Sequence, residues 1–158
     1  AHRIVTSSFS KSMAITGVRV GYAIVPESLF DLVHSRHMLT NVAINRQGQY
    51  ATLKALRETE PEYYEESRDL LRERIAAFTD ALDRAGAEYT DPDGAFYVMA
   101  KFEGFPGTME NSRRLIDEAG VAGMPGEAFG EARADWHRFA IVTPRAVEAA
   151  DRLAEYFG

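Results

Sequence analysis

The longest regular pattern of apolar positions lies in residues 61–85, where Tyr64, Leu71, Ile75, Phe78 and Leu82 follow at steps of seven, four, three and four. That spacing keeps a single stripe of a helix apolar. Gly86 comes next as the expected C-terminal stop. Glu65, Arg68, Asp69, Arg72, Glu73 and Asp80 fall on the other faces, which read as a solvated surface and not as a binding patch. Upstream the texture differs. Residues 4–9 and 18–25 are rich in β-branched and aromatic side chains and predict short strands. The small, polar stretch 10–17 between them predicts a loop. Pro26-Glu27-Ser28 opens a helix, with proline near the first turn and an acid at the positive end of the dipole. Leu29, Leu32 and Val33 give it an apolar face, Thr40-Asn41 interrupts it, and residues 47–56 resume helical spacing with Tyr50, Leu53 and Leu56.

Beyond Gly86 the pattern alternates strand and helix. Residues 87–90 and 95–102 predict strands around an Asp91-Pro92-Asp93-Gly94 turn. Gly104-Phe105-Pro106-Gly107 predicts a loop, and Thr108 caps a helix that runs to residue 119 and ends at Gly120. A short extended piece, 121–124, leads into 125–130, and residues 138–142 predict another strand. Thr143-Pro144 combines an N-cap with proline at the first helical position, opening a last helix with Val147, Leu153 and Phe157 inward. The β-β-α-β-β-α order after the long helix describes a compact α+β module. The part before residue 61 has too few strands for a sheet of its own and reads as an incomplete α/β domain. The expected fold class is therefore α/β, with residues 1–58 in one domain and 59–158 forming a linking helix and a small second domain.

At 158 residues the chain suits one ordinary domain, or a small one plus part of another. A net charge of −6 argues against a nucleic-acid or anionic-membrane partner. No apolar run approaches the ~20 residues of a membrane span, and the opening Ala1-His2-Arg3 lacks a signal-peptide pattern, so a cytoplasmic protein is expected. Without cysteine there are no disulfides, thiolate metal sites or thiol catalysis. His34 and His37 can share a helix face, but no third ligand accompanies them, and no metal site is expected. There is neither a Walker-type phosphate loop nor a nucleophile elbow.

Chemistry concentrates around Lys11, one of only three lysines among 18 basic residues. Ser8, Ser10, Ser12 and Thr16 surround it with hydroxyls, Gly17 and Gly21 allow close backbone approach, and Arg19 adds a planar fork suited to phosphate oxygens. An amine among phosphate-binding groups is what an aldehyde cofactor carrying a phosphate needs, and pyridoxal phosphate is the candidate. At the far end, Arg138 shares a strand face with Ala140 and Val142, opposite Phe139 and Ile141. On its own it is either a structural ion pair or edge charge, or an anchor for an anion. Tyr97 and Phe129 read as core, Tyr22 as packing or lining the base of the site, and Trp136 as a partly buried surface aromatic.

Ser8-Phe9-Ser10-Lys11 followed by Gly17-Val18-Arg19-Val20-Gly21-Tyr22-Ala23 resembles the lysine motif of fold-type I pyridoxal-phosphate-dependent aminotransferases, class I/II, the aspartate aminotransferase-like family. The resemblance continues along the chain. Residues 40–56 resemble the family helix bearing a Gln before Ala-x-x-x-Ala-Leu, and Gly94-Ala95-Phe96-Tyr97 a strand of its small domain. Residues 121–129 resemble the Gly-Val-x-x-x-Pro-Gly-x-x-Phe segment, and His137-Arg138-Phe139-Ala140 the strand whose arginine binds the substrate carboxylate. The resemblance implies the C-terminal part of that fold: a remnant of the large α/β domain, the linking helix and the small α+β domain. It implies that Lys11 forms the Schiff base with the cofactor and later acts as general base. Ser8 and Arg19, with Ser10 as a secondary candidate, would bind the phosphate, and Arg138 the substrate α-carboxylate. The reaction implied is transfer of an amino group between an L-amino acid and a 2-oxo acid, of aspartate or aromatic type, by a homodimer. The groups that tune the cofactor ring precede the lysine in the family by more than the ten residues present here, so this chain alone is expected to be a poor catalyst. A C–S or β-elimination lyase of the same fold, and a non-catalytic aminotransferase-like regulatory or binding domain, are the alternatives.

Overall fold

The computed structural model describes residues 3–158; Ala1 and His2 of the opening lie outside the described residues. Two compact units divide the chain, Ala1–Tyr64 and Glu65–Gly158.

In the first unit β1 (Val5–Ser8) and β2 (Gly21–Ile24) form an antiparallel pair, with Val5 opposite Ile24 and Ser8 opposite Gly21. Both strands are shorter than their apolar runs. The expected loop between them is instead a helical turn, α1 (Phe9–Ser12), and a 3₁₀ turn, Thr16–Val18. Local bonds explain the difference: Met13 N–H donates to the Phe9 carbonyl at 3.2 Å, and Thr16 Oγ1 to the Ser10 carbonyl at 2.9 Å. Small polar residues here satisfy the backbone within the turn while Met13 is buried beneath it. α2 (Glu27–Asn41) starts directly after Pro26, which occupies the cap position. α3 (Arg46–Glu58) is capped by Asn45, whose side chain accepts from Gly48 N–H. The apolar positions expected to line these helices are largely exposed, among them Leu32, Tyr50 and Leu56, and α3 buries Gly48 and Thr52 instead.

The second unit holds an antiparallel four-stranded sheet in the order β3 (Glu88–Tyr89), β4 (Tyr97–Lys101), β6 (His137–Ala140), β5 (Met124–Pro125). α4 (Pro61–Arg84) supplies Phe78, Ala81 and Leu82 to its core, the tight end of the stripe seen in the sequence, and the charged positions on its other faces are exposed. Alternation along the strands sends Val98, Ala100, His137 and Phe139 inward and leaves Tyr97, Met99, Arg138 and Ala140 on the open face. Phe78 packs on Phe139 with centroids 5.7 Å apart, and Leu115, Ile141 and Leu153 complete the buried cluster.

The helix expected over 108–119 is α from Met109 to Arg114 (α5) and widens to π geometry over Leu115–Ala119. Thr108 caps it by accepting from Asn111 N–H at 3.2 Å, and Gly120 ends it in the left-handed conformation, φ 67°. α6 (Ala146–Phe157) begins two residues after Pro144, because Thr143 closes a turn onto Ala146 N–H first. Its buried face is Ala146, Ala150, Leu153 and Ala154; Val147, expected inward, is 42% exposed. The three alanines place that face flat against the sheet core, and Val147 lies one position off it. Among the described residues no helix is long and apolar enough to cross a membrane.

Candidate functional site

The residues singled out around Lys11 all lie on the β1–β2 hairpin and its connection. Lys11 sits exposed on α1, three positions past Ser8, which is also exposed at the end of β1. Ser10 is buried, and its carbonyl accepts from Thr16, whereas Ser8 and Ser12 on either side of it are open to solvent. Arg19 is exposed and adopts the left-handed conformation, φ 56°, with one guanidinium nitrogen donating to the Thr16 carbonyl at 3.0 Å. A bond from Phe9 N–H to the Val20 carbonyl extends the pairing beyond the ladder, at the end from which both turns depart. Asn45 Nδ2 donates to the Val18 carbonyl at 3.1 Å and so ties the arginine turn to the start of α3. Tyr22 packs on Phe9 with the rings tilted at 41° and their centroids 5.5 Å apart. With Arg19, Phe30, His34 and His37 it lines an open groove of about 670 Å³.

Arg138 belongs to the second unit. It lies on the central strand β6, paired with Met99 of β4 on one side and Met124 of β5 on the other. Its guanidinium carbon is 4.2 Å from the Tyr97 ring centroid and 4.7 Å from that of Phe129. Among the described residues its guanidinium makes no hydrogen bond and no ion pair. Tyr97 and Phe129, expected in the core, are 38% and 44% exposed. The register explains Tyr97: it is two residues from Met99, on the open face of the sheet. Phe129 closes the 3₁₀ turn Gly126–Phe129, outside the buried cluster. Trp136 is half-buried, as expected.

His137, beside Arg138, was not legible as special. Its ring is fully buried among Phe102, Phe105 and Phe139, with centroids 5.6–6.3 Å from its own, and neither nitrogen makes a well-formed hydrogen bond among the described residues. Burial pushes its pKa below the ordinary histidine value, against a weaker opposing pull from the backbone of Phe105 and Pro106. A histidine on the inward face of a strand was the only available signal. His34 stacks on Phe30 and His37 contacts Asn41, and among the described residues no group of three or more His, Cys, Asp or Glu could hold a metal.

This mixed α/β build is that of pyridoxal-phosphate-dependent aminotransferase structures. Residues 1–154 match the family model for aminotransferase class I and II, and the chain belongs to that family, as the lysine motif implied. It is 35% identical over 150 residues to an aspartate aminotransferase of Thermotoga maritima, covering 95% of this chain and 38% of that protein. An LL-diaminopimelate aminotransferase of Aquifex aeolicus is 37% identical over 151 residues, covering 92% of this chain and 38% of that one. The solved aromatic aminotransferase from Pyrococcus horikoshii superimposes with a TM-score of 0.86 at 29% identity, covering 97% of this chain and 42% of that one. The chain thus spans about two fifths of the length of these relatives. The family depends in general on pyridoxal phosphate.

Proposed function

We propose that the protein containing this chain is a pyridoxal-phosphate-dependent aminotransferase that moves an amino group between an L-amino acid and a 2-oxo acid of aspartate or aromatic type. The names of its relatives support the substrate class, and the donor set supports the cofactor. An exposed primary amine, an exposed serine hydroxyl and an exposed guanidinium leave one short hairpin, with glycine where the backbone is closest. These groups fit a phosphorylated aldehyde. When bound, pyridoxal phosphate supplies the aldehyde that captures amines and a ring that withdraws charge from the α-carbon.

In this reading Ser8 and Arg19 hold the phosphate, and the burial of Ser10 supports keeping it a secondary candidate beneath them. Lys11 Nζ would hold the cofactor through its aldehyde and, as a free amine, would serve as the base for the proton on the substrate α-carbon. Arg138 holds the substrate α-carboxylate. The observation carrying this assignment is that its N–H donors are unspent among the described residues, leaving the planar edge open for a bidentate partner. Residues 1–58 form part of the cofactor-binding domain, and 59–158 the linking helix and the small domain. Exposed Phe30, Leu32 and Leu39 on α2 support a partner surface, in keeping with a homodimer. The intact protein, given L-aspartate or L-tyrosine with 2-oxoglutarate, is expected to yield glutamate and the matching oxo acid. No glutamate from either donor, with pyruvate, ammonia and the freed thiol released from L-cystathionine instead, would overturn the reading.

A further inference from the structure

We propose that Tyr97 and Phe129 are positioning residues for Arg138: they hold the guanidinium by its electron-poor face so that its N–H edge is presented, undistracted, to a carboxylate. The inference rests on the reading of Arg138 as the carboxylate anchor. Aromatic rings attract a cation without accepting its hydrogen bonds in the guanidinium plane, so two ring contacts restrict the side chain while leaving its donors available. The other arginines with recorded partners in this unit show the contrast. Arg145 and Arg152 donate to Glu148, and Arg84 to Asp151. Arg114 also lies over a ring, 5.1 Å from the Phe105 centroid, but its edge is spent on Glu118. Arg138 alone combines two rings with no polar partner among the described residues.

The surrounding face completes the argument. Met99 and Met124 are the register partners of Arg138, and Ala140 lies two residues along the same strand face, opposite Tyr97. None of these can compete for the guanidinium or neutralise it. Two large aromatic side chains left substantially exposed on the open side of the sheet lie outside the buried cluster; Tyr97 touches Phe96 as well, 4.5 Å between centroids, and the cation is what both rings share. A long flexible arginine restricted before its ligand arrives loses less freedom on binding. A lysine in its place would keep the charge and lose the planar fork.

The test uses the intact, cofactor-loaded protein, with propionate as carboxylate probe and propionamide as its uncharged control, measured by titration calorimetry. Tyr97→Leu and Phe129→Leu are each expected to weaken propionate binding about two- to fivefold, and together about five- to thirtyfold. Tyr97→Phe and Phe129→Tyr, which keep a ring, are expected to stay within about twofold of the parent. Binding of propionamide should not respond to any of these changes, and KM for the amino donor should rise more than kcat falls. If the double leucine variant does not fold, Phe129→Leu, whose side chain lies outside the core, decides alone. Arg138→Gln separates the two levels: if it leaves propionate binding intact, the anchor reading itself is wrong. If it abolishes binding while the leucine variants bind like the parent, the anchor stands and the positioning role is overturned.

Discussion

Ser8 stands directly opposite Gly21 in the β1–β2 ladder, at the end from which the lysine turn and the arginine turn both leave. There is no room for a side chain at Gly21, since a Cβ there would lie 2.7 Å from the Ser7 carbonyl oxygen. Gly21→Ala must therefore spread the two strands that carry the proposed phosphate ligands. It is expected to cost about 1–3 kcal/mol in denaturant unfolding and to weaken pyridoxal phosphate binding in parallel. Gly17, with nothing within 4 Å of its added Cβ, is the matched control, and Gly17→Ala should leave both quantities close to the parent. Equal behaviour of the two variants would disconnect the ladder from the site.

Borohydride reduction of the intact protein with pyridoxal phosphate, followed by peptide mapping, is expected to find the pyridoxyl group on the peptide containing Lys11. Lys54 lies 3.7 Å from Glu58, and Lys101 lies 3.7 Å from Glu88 and 3.9 Å from Asp135. These are exposed pairs of little energetic weight, so the discrimination rests on the phosphate ligands beside Lys11. Lys11→Ala should abolish the label, and a label on either other lysine would refute the assignment.

Asn45 performs two tasks with one amide. Its oxygen accepts from Gly48 N–H at the start of α3, and its nitrogen donates to the Val18 carbonyl, fixing the turn that presents Arg19. Asn45→Ala should lose both and destabilise the protein by about 1–2 kcal/mol. Asn45→Asp keeps the acceptor and loses the donor, so thermal unfolding should place it between the parent and Asn45→Ala. The distinctive expectation is that both variants weaken phosphate binding alike, because only the bond to Val18 reaches Arg19.

What was legible in the sequence followed its periodicity. Phe78 and Leu82 recur at helical spacing and are buried, and the alternation through Phe139 and Ile141 gave the inward face of the strand that carries Arg138. The family was legible because Ser8, Lys11 and Arg19 have a chemically constrained spacing. Residues 10–17 misled because small polar side chains favour loops as a class, whereas here Thr16 and buried Met13 close helical turns through specific contacts. Tyr97 and Phe129 misled for the converse reason: a large aromatic is usually core, and nothing local in the sequence places two of them around a distant arginine. The exposed apolar positions of α2 and α3 show that helical spacing identifies a face but not what covers it.

His137 gives the acid limb of stability a specific origin. Its ring is buried with both nitrogens unpartnered among the described residues, so its pKa in the folded state lies below the ordinary value of 6.5. In the unfolded chain it protonates near 6.5, and the unfolded state therefore binds more protons than the folded state as pH falls through that value. This group's contribution is fully present above about pH 6.5 and is lost on descent towards the folded pKa, with a slope of at most about 1.4 kcal/mol per pH unit. His137→Leu removes the titration together with the two buried ring nitrogens. Denaturant unfolding from pH 5 to pH 8 should show the parent losing stability on the acid side relative to His137→Leu, with the variant equal or about 1 kcal/mol more stable at pH 8. Parallel curves for the two proteins would mean that the ring finds a proton acceptor in solution and is not held neutral by burial.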